Sequence, residues 1–119
     1  MMQGVRGAIT VEHNDKEEII AAVMELLTTM QEKNGFCVED VGAAIFSATD
    51  DLTAVFPAVG ARRLGWATVP LFGAQEQDVD DALSQCIRVL LFLNTDKKQS
   101  EIHHVYLRGA VVLRPDLKS

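Results

Sequence analysis

Hydrophobic and polar residues are patterned along this chain as in an α+β fold. The segment Gln3–Val11 alternates small or apolar residues with polar ones, which predicts a first strand. From Asp15 to Asn34, apolar residues recur at helical spacing. Asp15 and Glu18 form a capping-box signature, and Gly35 is a typical helix stop. The pattern therefore predicts a helix that covers one face of a sheet.

The remaining elements are shorter, and their limits follow from glycine, proline and polar turns. Turns or short helical segments are expected at 37–41, 78–85 and 100–102, and a helix with proline in its first turn is expected from 57 to 64. Strands are predicted at 42–49, 67–72 and 86–94, and a last pairing element at 105–107 with 110–113.

The predicted strand 86–94 is a nearly continuous apolar run interrupted by one arginine, Arg88. Its length and its β-branched and aromatic content favour a strand covered on both faces. A guanidinium cannot lose its charge, and burying it without partners would cost roughly several kcal/mol. An anion must therefore meet Arg88, either as an internal carboxylate in a structural ion pair or as a carboxylate ligand in a cleft.

Length and charge limit the classes of function. A chain of 119 residues with 48% hydrophobic and 24% charged residues is expected to form one globular domain. A net charge of -6 argues against nucleic acid or an anionic membrane as the main partner. An anionic ligand would therefore need a locally basic site.

Cysteine and histidine usage does not indicate a disulfide framework or a metal site. Cys37 and Cys86 form no CxxC pair, no apolar run approaches the ~20 residues that span a bilayer, and no signal-peptide core is evident. We therefore expect a cytoplasmic protein.

His103 and His104 are adjacent, so on a strand they would point to opposite faces, and no third ligand stands at a metal-like spacing.

The residues that could carry chemistry are mainly fixed cations. The sequence contains no nucleophile–base arrangement, phosphate loop or dinucleotide fingerprint. It does place four arginines, a tyrosine and a glutamate on predicted strands, strand ends, one helix and the tail: Arg6, Arg62, Arg88, Arg114, Tyr106 and Glu76. Such a set can hold a dicarboxylate, and an enzyme built on it would work by positioning and fixed electrostatics.

Six segments, taken in order, resemble the small AroH class of chorismate mutases. They are Gly4-Val-Arg-Gly-Ala8, Phe56-Pro-Ala58, Gln75-Glu76, Cys86-Ile-Arg-Val89, His104-Val-Tyr-Leu107 and Ala110-Val-Val-Leu-Arg-Pro-Asp116. The resemblance covers residues 1–119 as a single domain, with 114–119 as a C-terminal tail. It implies an α+β fold with a mixed sheet, a homotrimeric pseudo-α/β barrel and active sites between subunits. It also implies an isomerase of aromatic amino acid biosynthesis that rearranges chorismate to prephenate without a cofactor or covalent intermediate.

The resemblance also implies roles for individual residues. Arg88 would bridge a substrate carboxylate and the ether oxygen, where charge develops in the transition state. Arg6 and Tyr106 would clamp a carboxylate, and Glu76 would accept the ring hydroxyl and offset positive character on the ring. Further substrate contacts would come from Phe56 and Arg62 of an adjacent subunit and from Leu71, Phe72, Gly73, Leu113 and Arg114.

Two other classes of function use the same residues. A non-catalytic trimer could bind a small dicarboxylate or aromatic metabolite through these arginines, and it would bind a bicyclic transition-state mimic no better than chorismate. In a purely structural subunit, Arg88 would pair with an internal carboxylate, and its removal would destabilise the fold by roughly 3–5 kcal/mol.

The chain departs from the family pattern at two positions, which leads to a first prediction. Gly73 stands where the family commonly has a cysteine, and Val59 where it commonly has a lysine. We expect Gly73→Cys to leave kcat similar and to lower KM, because it restores a substrate contact. Steady-state kinetics with chorismate would check this, and an unchanged KM would count against a contact at this position.

Overall fold

Five strands form one mixed sheet with its two longest strands side by side near the centre. The computed structural model describes residues 1–113. The strands are β1 (Met2–Thr10), β2 (Val41–Ala48), β3 (Leu71–Gln75), β4 (Cys86–Asn94) and β5 (Val105–Leu107), in the spatial order β3-β2-β4-β1-β5. β4 runs antiparallel to β1 and β2, whereas the outer pairs β1–β5 and β2–β3 are parallel. The expected α+β class with a mixed sheet is confirmed.

Helix α1 (Lys16–Asn34) begins and ends where the capping signals predict. The Asp15 side chain accepts a hydrogen bond from the Glu18 backbone N–H at 2.9 Å. Gly35 adopts the left-handed conformation with φ 63°, and its N–H bonds to the Gln31 carbonyl. A short helix α2 (Ala58–Arg63) and three 3₁₀ segments, Val38–Asp40, Gln99–Glu101 and Arg108–Leu113, complete the elements of residues 1–113.

The core lies between the helices and one face of the sheet. Leu26, Leu27 and Met30 of α1 are fully buried, as are alternate residues of the strands such as Ile9 and Leu91. Within residues 1–113, the β4 residues that face the helices are all buried. On the opposite face Cys86 is buried, but Arg88, Leu90 and Phe92 are only half-buried and Asn94 is exposed. The expectation that β4 is covered on both faces therefore does not hold for a single chain. No helix among residues 1–113 has the length and apolar composition to cross a membrane.

The third strand lies further along the chain than the sequence pattern predicts. It was expected at 67–72, whereas β3 begins at Leu71. Pro70 has no N–H to donate and only accepts a hydrogen bond, from Ala44, so the ladder starts after it. Val69, which contributed to the apolar pattern, is buried in the core without being part of the strand.

Two other segments also differ from the prediction. Residues 110–113 were expected to pair as a strand, but they continue the 3₁₀ segment that begins at Arg108, whose φ of 55° turns the chain. Residues 78–85 contain no helix, and Asp81 and Gln85 have φ values of 64° and 50°. A left-handed residue interrupts helix and strand alike.

The two helices approach closely at Gly60. A Cβ atom on Gly60 would lie 2.6 Å from both Cβ and Cγ1 of Val23 and 3.1 Å from the Ile20 carbonyl oxygen. These atoms belong to backbone or to a stiff β-branched side chain, so they cannot move aside without shifting a helix.

We expect Gly60→Ala to lower the free energy of unfolding by about 1–2 kcal/mol. Overpacking typically costs about 1–3 kcal/mol, and the two contacts of 2.6 Å place Gly60→Ala in the upper part of that range, at about 2–3 kcal/mol. The better helix propensity of alanine offsets about 1 kcal/mol of it. Denaturant unfolding at fixed protein concentration would measure the change. Gly73→Ala is the matched control, because a Cβ there meets no atom of residues 1–113 within 4 Å. Equal stability of the two variants would contradict the close approach at Gly60.

Candidate active site

Four residues on adjacent strands form a row across the sheet face that the helices do not cover. Ser47 pairs with Arg88 across β2 and β4, Arg88 pairs with Ala8 across β4 and β1, and Ala8 pairs with Tyr106 across β1 and β5. Directly paired residues point to the same face. Because strands lie about 4.8 Å apart, Arg88 and Tyr106 stand roughly 10 Å apart, with the small side chain of Ala8 between them.

A cavity of about 330 Å³ opens over this row. Its lining includes four of the residues expected in the site, namely Arg6, Arg88, Tyr106 and Leu113. Arg6 lies two residues before Ala8 on β1, so its side chain is on the same face of the sheet. The apolar part of the lining includes Ile45, Val89 and Leu90. Two cations and a phenol therefore converge on one partly apolar cleft.

The guanidinium of Arg88 is only partly matched by protein groups. Its Nε lies 3.3 Å from Oε2 of Glu76, so the two side chains form an ion pair. The same Nε is buried, and its N–H has no hydrogen-bond acceptor within the described part of the chain. The Arg88 side chain is 40% exposed. A buried guanidinium N–H without an acceptor is costly, and an anionic ligand in the adjoining cleft would supply acceptors for the group.

Glu76 is held in place by two hydrogen bonds to β2. Its Oε2 accepts a bond of 2.6 Å from the Ser47 hydroxyl. Its backbone N–H donates to the Ala48 carbonyl at 2.9 Å. Glu76 and Arg88 both line a second cavity of about 330 Å³. The carboxylate is therefore fixed beside the cation that faces both cavities.

Hydrogen bonds to Thr49 and Asp51, which follow β2, fix the start of β4. The Thr49 hydroxyl accepts from the Cys86 N–H at 3.0 Å and bonds to Asp51 at 2.5 Å. Asp51 also accepts from the N–H of Gln85, the residue with φ 50°. This anchor lies two residues before Arg88 and limits the freedom of its backbone.

The other predicted substrate-binding residues lie elsewhere in the single chain. A third cavity of about 960 Å³ is lined by Phe56, Arg62, Leu71 and Gly73. Among the described residues, none lines both this cavity and the cavity beside Arg88 and Tyr106. Phe72 is 66% exposed and lines none of these three cavities. Arg114 lies outside the described residues. One chain thus brings together Arg6, Arg88, Tyr106, Leu113 and, through the ion pair, Glu76.

Sequence reasoning missed Ser47. The alternating pattern of the second strand places it on the same face as Ile45, but the sequence does not tell which residue of β4 lies opposite. Only the register of β2 against β4 shows that Ser47 faces Arg88.

His104 and Cys86 lie near the site, and both contact other parts of the fold. Nδ1 of His104 accepts a hydrogen bond from the Arg6 backbone N–H at 3.0 Å. Among residues 1–113, no group of three or more His, Cys, Asp or Glu side chains is placed to hold a metal ion. Cys86 lies two residues before Arg88 on the same face of the sheet, where it is buried with Ala8 and Tyr106. Burial raises the pKa of the Cys86 thiol, although the nearby charge of Arg88 opposes this shift.

Comparison with known proteins identifies chorismate mutases over the whole chain. The family model for chorismate mutase type I matches residues 2–117. The chorismate mutase AroH of Thermus thermophilus is 51% identical over 120 residues, covering 100% of this chain and 98% of the relative. That of Bacillus subtilis is 49% identical over 118 residues, covering 98% and 93%. A solved chorismate mutase from Clostridium thermocellum has a TM-score of 0.90 and 47% identity, and the match covers 92% of this chain and 97% of that one.

The burial of Cys86 predicts selective alkylation. Cys37 is an exposed free thiol, whereas the Cys86 thiol is buried and its pKa is raised, so little reactive thiolate is present at neutral pH. We expect iodoacetamide to modify Cys37 at least about tenfold faster than Cys86 in the native protein. Peptide mass spectrometry would measure both rates. The denatured protein is the control, in which the two rates should converge, and equal rates in the native protein would contradict the burial.

Proposed function

The chain belongs to the type I chorismate mutase family, and we propose that it converts chorismate to prephenate in the cleft beside Arg88. The observation that carries the assignment to this cleft is the partly matched guanidinium of Arg88. Among residues 1–113 it has one carboxylate neighbour, at 3.3 Å, and its buried N–H has no acceptor. It also faces a cavity that Arg6 and Tyr106 line. This arrangement suits a substrate with two carboxylates.

The chemistry assigned to Arg88 is electrostatic. In the rearrangement one carbon–oxygen bond of the enol ether breaks while a new carbon–carbon bond forms, so no proton or leaving group is exchanged. Electron density builds on the ether oxygen as that bond breaks. A guanidinium held beside this oxygen stabilises the transition state more than the ground state, which is the condition for raising kcat.

The other residues of the cleft position the substrate around this cation. Arg6 and Tyr106 would hold a carboxylate and favour the conformer in which the reacting carbons are close, which lowers the entropic part of the barrier. Glu76 would accept the ring hydroxyl and offset positive charge that develops on the ring. Because the described cleft combines two arginines with an ion-paired carboxylate, fixed charge is sufficient for these roles and no acid–base shuttle is needed.

We further propose a homotrimer with its active sites at the subunit interfaces. Ile45 pairs with Leu90 and with Phe72, so these apolar side chains share the sheet face that α1 and α2 leave open. An apolar sheet face of this kind is typical of a protein interface. The separation of Phe56 and Arg62 from Arg88 within one chain supports the same assembly, because a neighbouring subunit could bring the third cavity against the cleft.

The expected partners are the substrate and further copies of the chain. The net charge of -6 gives no overall attraction to nucleic acid or to an anionic membrane. The free thiols of Cys37 and Cys86 favour a reducing compartment, so we place the protein in the cytoplasm.

Removal of the Arg88 guanidinium should abolish catalysis without unfolding the protein. We expect Arg88→Ala to lower kcat by about 10³-fold or more, since loss of a single neutral donor to a developing oxyanion already costs about 10²- to 10³-fold. The decrease in chorismate ultraviolet absorbance measures turnover, and circular dichroism checks folding. The matched control is Arg63→Ala, because Arg63 is an exposed arginine of α2 that pairs with Glu17.

Two outcomes would contradict the proposal. Parental turnover in a folded Arg88→Ala variant would remove Arg88 from the reaction. A well-folded parent without turnover would favour the non-catalytic binding protein instead.

A further inference from the structure

We propose that Ser47 is a positioning residue that holds the Glu76 carboxylate in its catalytic orientation beside Arg88. The inference deepens the proposed function and rests on it. It is drawn from the hydrogen bond of 2.6 Å between the Ser47 hydroxyl and Oε2 of Glu76, and from the direct pairing of Ser47 with Arg88 across β2 and β4.

One carboxylate oxygen is shared by the serine and the arginine. Oε2 of Glu76 lies 2.6 Å from Oγ of Ser47 and 3.3 Å from Nε of Arg88. The shorter contact has hydrogen-bond geometry, whereas the Arg88 N–H is not satisfied by that oxygen. The serine therefore determines where the oxygen sits, and the arginine interacts with it mainly through charge.

This arrangement prevents the carboxylate from forming a full ion pair with Arg88. An unrestrained glutamate next to a guanidinium favours the bidentate geometry, in which two N–H donors are consumed. In the structure Oε2 is hydrogen-bonded to Ser47 at 2.6 Å and lies farther, at 3.3 Å, from Nε of Arg88. Donors of Arg88 that a bidentate pair would occupy are thereby kept for the substrate, and Glu76 keeps acceptor capacity for the ring hydroxyl.

Ser47 and Glu76 differ in how firmly the fold holds their backbone. Ser47 belongs to β2, which is paired on both sides, with β4 and with β3. Glu76 is the first residue after β3, a strand at the edge of the sheet, and the residues that follow it up to Gln85 form no helix or strand. Ser47 is therefore the more rigid member, and it can orient the less restrained glutamate.

The central test is Ser47→Ala, with kcat and KM measured separately for chorismate. Loss of a hydrogen bond to a charged group should lower kcat by roughly tenfold, or about 1.4 kcal/mol of activation free energy. KM should change by less than about threefold, because Glu76 is proposed to act mainly on charge that develops in the transition state. Ser100→Ala is the matched control, since Ser100 is exposed and lines none of the three cavities.

Two variants whose side chains have equal shape, one with a hydroxyl and one without, separate the effect of the Ser47 hydroxyl on kcat from the effect of packing. Ser47→Thr keeps the hydroxyl and should retain kcat within about threefold of the parent. Ser47→Val has the shape of the threonine variant but lacks the hydroxyl, so its kcat should fall about as much as that of Ser47→Ala. A purely structural role would instead lower the melting temperature and leave kcat of the folded fraction unchanged. Loss of kcat in the threonine variant equal to that in the valine variant would overturn the proposal.

Combination with Glu76→Gln tests whether the serine acts through the glutamate. If it does, Ser47→Ala should lower kcat by about tenfold in the parent and by less than about threefold in the Glu76→Gln background. An equal loss in both backgrounds would overturn the positioning role.

If the parent turns over chorismate and Ser47→Ala retains parental kcat, only this inference fails. A folded parent without turnover would overturn the proposed function and this inference together.

Discussion

The charge of Arg88 on the central strand is the constraint on which the site depends. A guanidinium remains ionised at any physiological pH, so the fold must solvate or pair it wherever the chain places it. The solution here is partial: Glu76 lies 3.3 Å away, the buried Nε has no acceptor within residues 1–113, and the remainder of the group faces a cavity. A cation so poorly matched in the free protein is prepared to gain interaction energy from an anion.

The elements with strong local signals are those that the sequence predicts well. The Asp15 cap and the left-handed Gly35 define α1 within its own sequence, and the limits of β4 follow from its nearly continuous apolar run. The predicted strand limits are wrong where apolar residues are buried in the core but do not belong to a strand. Val69 is buried just before β3, and Ala110 is buried within a 3₁₀ segment. In such places the hydrophobic pattern reports burial, and tertiary packing decides the backbone conformation.

The site divides in the same way between what the sequence predicts and what it leaves open. An arginine in an apolar strand is conspicuous in the sequence, and so is the need for an anion beside it. The sequence could not show that Ser47 stands opposite this arginine, because register depends on pairing between segments about 40 residues apart. Nor could residue patterns show that Phe56, Arg62, Leu71 and Gly73 line one cavity whereas Arg6, Arg88, Tyr106 and Leu113 line another.

The two faces of the sheet have different physical tasks. The face under α1 excludes water and fixes the backbone, with Val89 and Leu91 packed in the core. The same strand turns Arg88 and Leu90 to the open face, so the rigidity gained on one side holds the charges on the other. For a reaction that needs no proton transfer, catalytic power depends on how little the charged groups must reorganise. Arg6 and Arg88 lie on paired strands, and the Ser47 hydroxyl of β2 bonds to the Glu76 carboxylate, which keeps that reorganisation small.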